Sequence, residues 1–382
     1  MNAPPVRGQL PLHAVLGVIG ATSIIGGTLW DISWHSTIGR DTFWTPAHLA
    51  IYLGGVLAGI ASGWALFRAT FLGPKGEPLA GVRIWGCRGP LGAWVTVWGA
   101  LAMVTSAPFD NWWHNAYGLD VEILSPPHTV LAAGMFGIAL GALFLVLSAQ
   151  NRTELERRGA PALLASYTGG ILLTMAATFL TERSLPNQQH AASFYRASSI
   201  VYPLFLTVAA RTTSLRWPAT AAAAVYMALV LAMAWILPLF PARPLLAPIY
   251  NPVDRMVPPA FPLFLVAPAL LIDLLHRPSR PDQGRWRDWL LAPALGAAFL
   301  GVFLAVQWTT SVFLISPAAD NAFFVGGRFF PYSEHVGDWK YRFWLTEIDP
   351  LTPESLGIAF LLAVISARGG LAVGRFMGTV KR

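Results

Sequence analysis

The 382-residue chain predicts an all-α fold, a polytopic transmembrane helical bundle, on three observations. Hydrophobic residues make up 55% of it and charged residues 12%, with 16 Trp and a mean hydropathy of +0.53. That leaves too little polar surface to coat a soluble globule of this size. The apolar residues gather into about ten segments of membrane-spanning length. The charges between those segments are sorted by side.

The segments run over 11–30, 47–69, 91–108, 128–149, 161–181, 196–214, 218–240, 258–276, 288–309 and 354–376. The first segment has neither a strongly basic leader nor a small-residue cleavage pattern before Asp31, so it reads as a retained helix. If the N-terminus is cytoplasmic, 18 of the 26 Lys and Arg fall on the cytoplasmic side and 13 of the 19 acidic residues on the opposite side. With ten spans this satisfies the positive-inside rule and puts both termini in the cytoplasm. The net charge of +7 is thereby explained by topology, and no nucleic-acid partner is expected. An integral protein of a bacterial-type inner membrane is the expected localisation. The single cysteine, Cys87, excludes a disulfide framework and a multi-cysteine metal site.

Two regions are expected. Residues 1–150 form a four-helix unit closed by the polar stretch "SAQNRTELERRGAPA". Residues 151–382 form a six-helix extension whose long outer loop, 310–353, is rich in Phe, Tyr and Trp. Such a loop is too apolar for disorder and is expected to pack on the helices or on a partner.

The four-helix unit contains an internal repeat. Between its first two spans the chain reads Asp31-x3-His35-x3-Gly39-x-Asp41-x4-Pro46-x-His48. Between the third and fourth it reads Asp110-x3-His114-x3-Gly118-x-Asp120, followed by Pro127 and His128. If each span continues a turn beyond its apolar core, Asp and His four residues apart share one helix face. The chain reverses at Gly39 or Gly118, and a proline opens the next helix just before the last histidine. Each set then offers two imidazoles and a carboxylate from adjacent helices, enough to hold one transition-metal ion with positions left open. Asp31, His35 and His48 form the first candidate site; Asp110, His114 and His128 form the second.

Ionisable side chains at the edge of a membrane helix are costly unless paired or functional. A purely structural His–Asp pair beside a tryptophan belt is the bland alternative, and the duplication argues against it. Spacing leaves copper, zinc and iron(II) open. Asp41 and Asp120 are expected to orient ligand histidines through their second nitrogen, and Arg40 to offset acidic charge. His13 and His276 read as interfacial or capping residues. His190, near Glu182, Arg183 and Arg196, and His335 read as solvated residues of outer loops, with completion of the metal region or of a substrate entrance as the alternative.

The stretch "DISWHSTIGRDTFWTPAHL" resembles the D-x-S-W-H, R-D-T and T-P-x-H pattern of the C subunit of the copper membrane monooxygenases, the particulate methane and ammonia monooxygenase family. The match includes Trp34, Arg40, Asp41, Thr42, Thr45 and Pro46. By this resemblance Asp31, His35 and His48 are copper ligands and the catalytic group. The family's second site uses an Asn and two His; here Asp110 stands where the family has Asn. Asn111 is the neighbour, but it points about 100° away on a helix.

The resemblance covers roughly residues 10–150 and does not extend to the six later spans. The chain also lacks the soluble cupredoxin-like domain of the family's B subunit. What the resemblance implies is a divergent, C-terminally extended C subunit with one or two copper sites facing the outer compartment. Its implied activity is hydroxylation of a small apolar substrate with dioxygen in a cavity among spans one to four, alone or in an oligomer with A-like and B-like subunits amid membrane lipid. A copper-handling or structural subunit without turnover is the alternative. Transport proper would need a file of ligands, Met, Cys or acidic residues, through the membrane depth, and the spans offer little of that: the eight Met are scattered and Cys87 lies on the inner side.

Overall fold

Hydropathy dictates helices here, since backbone groups in hydrocarbon must be satisfied within their own segment. In the computed structural model the described residues, 10–73, 81–118, 125–154, 158–245, 248–276, 285–334 and 338–381, form ten α-helices. These are α1 Leu12–Thr37, α2 Pro46–Phe67, α3 Leu91–Tyr117, α4 Pro126–Arg152, α5 Gly159–Thr178, α6 Ala192–Thr212, α7 Pro218–Ile236, α8 Val266–His276, α9 Arg285–Leu314 and α10 Pro353–Gly378. Eight are long and apolar enough to cross a membrane, all but α6 and α8. The chain is an integral membrane protein.

The two exceptions have sequence causes. Arg196 and several Ser and Tyr residues lower the hydropathy of α6. The span expected over 258–276 becomes helical only at Val266. Pro258, Pro259 and Pro262 lack the N–H donors a helix needs and clash with the preceding turn, so 258–265 stays non-helical. One small sheet departs from the all-helical expectation. β1 Val82–Ile84 pairs antiparallel with β2 Cys87–Gly89 through a two-residue turn in which Trp85 and Gly86 have φ of 48° and 82°. Both positions in the left-handed region are what a tight type I′ hairpin turn requires.

The first four helices pack through small residues, the usual means of close approach between membrane helices. A Cβ on Gly20 of α1 would stand 2.6 Å from the Gly54 carbonyl oxygen of α2; a Cβ on Gly99 of α3 would stand 2.6 Å from that of Gly134 on α4. These contacts are equivalent in the repeat: each first glycine precedes its Asp by the same interval, and each second glycine follows the last His by the same interval. Thr28 reaches Met135 on α4, Gly17 meets Ala142, and Gly55 meets Met103 on α3. α1 is thus antiparallel to α2 and to α4, and α2 to α3, so the α1–α2 and α3–α4 connections emerge at one end of the bundle.

The expected division at 150/151 falls just inside the end of α4, and one apolar core runs across it. At the end of the bundle opposite the two connections, Arg211 of α6 and Arg375 of α10 each donate to one oxygen of Asp288 on α9, both at 2.8 Å. At the connection end, the aromatic segment after α9 packs on the helices. His190 is sandwiched between Trp308 and Phe343, with ring centroids at 3.7 and 3.6 Å. Arg196 pairs with Asp349 at 2.9 Å.

Candidate metal centre

Local sequence builds the first site in three steps. α1 continues past its apolar stretch to Thr37, so Asp31 and His35 are one turn apart on the same helix face. The helix then ends where the Ile38 and Gly39 N–H groups both return to the Trp34 carbonyl, at 2.7 and 3.1 Å, with Gly39 at φ 85°. This is the left-handed stop that glycine permits. The Trp34 indole donates to the Arg40 carbonyl at 2.7 Å and folds the turn back, leaving the Arg40 side chain exposed. The Thr42 N–H donates to Thr45 Oγ1 at 2.8 Å, and Pro46 opens α2 with His48 in its first turn.

The result is a convergence. His48 Nε2 is 3.1 Å from Asp31 Oδ1, and His35 Nε2 is 3.9 Å from Asp31 Oδ2. Asp41 Oδ2 lies 3.3 Å from His48 Nε2 and 3.4 Å from His35 Nε2. The ligand-type atoms of Asp31, His35 and Asp41 are all within 4.8 Å of one another. Asp41, expected behind a ligand histidine, therefore stands among the ligand-type atoms themselves. Its contacts with His35 first and His48 second hold its carboxyl well below the usual carboxylate range.

The set has the chemistry to share an ion: two carboxylates and two imidazoles form a mixed oxygen and nitrogen group whose formal charge balances a dication, which fits copper(II), zinc or iron(II). The site stands near the surface: the His48 side chain is 19% exposed and that of His35 49%.

The second connection repeats the plan. α3 carries Asp110 and His114, and Gly118 has φ 88°, close to that of Gly39. Ser125 caps α4, accepting from the His128 N–H at 3.4 Å. Asp110 Oδ1 lies 3.5 Å from His128 Nε2. The His114 side chain and Asp120 lie outside the described structure, as does His335. Tyr52, one turn after His48 on α2, lies with its ring 6.1 Å from that of His48 and within electrostatic reach of Asp110, Asp31 and Asp41. Nothing in the spacing singled it out.

His190 joins neither centre. Buried between two rings, with its Nε2 3.1 Å from the Trp308 carbonyl oxygen, it is a wedge under the aromatic segment, where a solvated loop residue was expected. Burial pushes its imidazole below the usual histidine range. His13 and His276 lie at helix ends, as expected.

The later helices contribute to the first site through the backbone that follows His35. The Tyr332 N–H donates to the Ser36 carbonyl at 3.2 Å and the Leu245 N–H to the Ile38 carbonyl at 2.9 Å. The buried Val257 N–H donates to Thr37 Oγ1 at 2.7 Å. Three backbone N–H groups from two connections, α7–α8 and α9–α10, thus hold the end of α1 that carries Asp31 and His35. A groove of about 460 Å³ lies between α1 and α5, lined by Val15, Val18, Ile19, Thr22, Ser23, Leu164 and Tyr167. Its nearest α1 residue, Ser23, is eight positions from Asp31, about 12 Å along the helix axis.

Compared with known proteins, the chain matches no family model, no curated protein and no solved structure.

Proposed function

We propose that this protein is a copper-binding membrane protein of the monooxygenase type, hydroxylating a small apolar substrate with dioxygen, alone or as one subunit of an oligomer. The observation that carries the reading is the convergence of Asp31, His35, Asp41 and His48 from two helices and their connecting turn. In this reading all ten helices, including the short α8, count as spans, both termini are cytoplasmic and the sites face the outer side of an inner membrane. The charge distribution supports that orientation.

Asp31, His35, His48 and Asp41 would hold the ion, and Asp110, His114 and His128 a second one. Copper, when bound, supplies the activation of dioxygen. The chain's own part is to fix the ligands before the ion arrives: helix register aligns Asp31 with His35, and the Gly39 stop brings Asp41 and His48 to them. The two carboxylates offset the charge of the ion in an apolar setting. Copper is chosen over zinc and iron by the motif resemblance.

A second reading, copper binding without turnover, is favoured by the exposure of His35, since metal transfer to a partner needs an accessible ligand. Purified protein with its co-purifying subunits separates the readings. The oxygenase reading expects bound copper and oxygen-dependent hydroxylation of a small alkane or ammonia-sized substrate, both lost in His35→Ala and His48→Ala. Copper without hydroxylation supports the second reading. Protein isolated without a transition metal, and unable to take one up, overturns both.

A further inference from the structure

The α9–α10 pair holds a cation that the described residues leave unbalanced. It lies at the end of the bundle opposite the two connections, cytoplasmic in the orientation proposed above. There Asp288 accepts from Arg211 with one oxygen and from Arg375 with the other. Arg368, seven residues before Arg375, sits about 10 Å deeper along α10. It makes no hydrogen bond or ion pair among the described residues, and its Nε is buried without a partner. What it meets is the ring of Trp289 on α9, with the guanidinium carbon 4.5 Å from the centroid. An arginine at such depth is costly unless it is paired or reaches the interface. Trp286 and Trp289, both exposed in the first two turns of α9, stand at that interface. The guanidinium therefore lies just beneath headgroup level with its charge unmet.

The surface that runs inward from Arg368 is shaped for a chain. α9 and α10 touch where a Cβ on Gly296 would stand 2.9 Å from the Val364 nitrogen, one turn from Arg368. Because the helices are antiparallel, the next residue of each, Ala297 and Ile365, turns to the same side of the pair, the side that carries Trp289 and Arg368. On that side α9 presents Trp289, Pro293, Ala297 and Gly301 at four-residue steps, all exposed. Past the tryptophan these side chains are short, while Leu361 and Ile365 of α10 are large and exposed beside them. The difference in height leaves a trough that opens at Arg368. From Trp289 to Gly301 it runs about 18 Å, close to the half-thickness of a bilayer's hydrocarbon core.

We propose that this trough holds one anionic phospholipid, with its headgroup phosphate on Arg368 and an acyl chain over Pro293, Ala297 and Gly301. Charge selects the class. Three arginines, Arg211, Arg375 and Arg368, stand here against one described carboxylate, Asp288, and a net anion lowers that excess where a zwitterionic lipid does not. The planar guanidinium fork matches phosphate oxygens, and basic positions between membrane helices are a recurring place for such headgroups. A free phosphate ion would meet the arginine but leave the trough unfilled.

The test melts the purified full-length protein in detergent with phosphatidylglycerol, with phosphatidylcholine of the same chains, or with inorganic phosphate, at equal ionic strength. The expected result is a saturable rise in Tm with phosphatidylglycerol, a rise that needs about tenfold more phosphatidylcholine, and none with phosphate. Arg368→Gln removes the charge and Ala297→Phe fills the trough; each is expected to raise the half-saturating concentration of phosphatidylglycerol about tenfold. If Ala297→Phe fails to fold, Arg368→Gln decides. Arg83→Gln, which removes an exposed charge from the β1–β2 hairpin at the same end, and His48→Ala, at the histidine site, are expected to keep the response. Equal responses to the two lipids, a response to phosphate that matches phosphatidylglycerol, or a lipid response that Arg368→Gln or folded Ala297→Phe retains unchanged overturns the proposal. So does a loss in Arg83→Gln as large as that in Arg368→Gln.

Discussion

The two helical hairpins α1–α2 and α3–α4 are built to one plan and finished differently. Both place Asp and His one turn apart, reverse at a glycine with φ near 85–88°, and open the next helix with proline. Both are closed by an equivalent pair of glycines. Among the described residues the first hairpin gathers a second carboxylate, Asp41, whose counterpart Asp120 lies outside them, and is held from outside at Ser36, Thr37 and Ile38. The second is capped by Ser125 and carries exposed aromatics, Trp112 and Tyr117, beside its site. The lesson is that a repeated local pattern supplies ligand spacing, while surroundings decide how firmly each copy is held.

Breaking the shared part should have the largest effect. Gly20→Leu forces side-chain atoms into the Gly54 carbonyl and is expected to cost about 1–3 kcal/mol or more through overpacking. Gly99→Leu is expected to do the same against Gly134. Thermal unfolding of the two variants measures it, and similar losses are expected because the contacts are equivalent at 2.6 Å. A large loss in one only would show that the hairpins are not structural equivalents.

Asp41→Asn tests the second carboxylate of the first centre. It keeps shape and removes charge, so metal affinity at the first site is expected to fall about 10–100-fold. Metal titration with and without His128→Ala assigns the loss to one site. Unchanged affinity would return Asp41 to the supporting role its place in the sequence indicated.

The smallest effects separate the two modes of support. Thr37→Val leaves the buried Val257 N–H without its acceptor, at a cost of about 1–3 kcal/mol, with weaker metal binding at the first site alone. Ser125→Ala removes a helix cap, at about 1 kcal/mol, and should touch the second site alone. Calorimetry together with site-resolved metal titration checks both. Crossed effects would mean that the hairpins act as one unit.

Much of the helical layout was legible because hydropathy and proline placement act within a few residues of chain. Asp31 with His35 could be read from helix periodicity, and Pro46 with His48 from the rules of helix initiation. The glycine contacts were also present as intervals from the repeat, but a small residue has no distinctive chemistry and its meaning appears only when two helices meet. Asp41 was placed one step too far back, since a turn's direction depends on the Trp34–Arg40 bond as well as on spacing. α8 was drawn too long because hydropathy counts proline neighbours as apolar and ignores their missing N–H groups.

What the sequence alone determined is therefore local: membrane residence, the helices, and two sets of Asp and His at ligand spacing, each set by periodicity and backbone chemistry over short intervals. Only the tertiary structure decided that Asp41 joins Asp31 and His35 in one group, that backbone from beyond α7 holds the end of α1, and that the non-helical stretch before α8 meets Tyr226 of α7 and Gln307 of α9. Val257 and Thr37 lie 220 positions apart. Contacts at that separation are set by how helices pack, which no local pattern records.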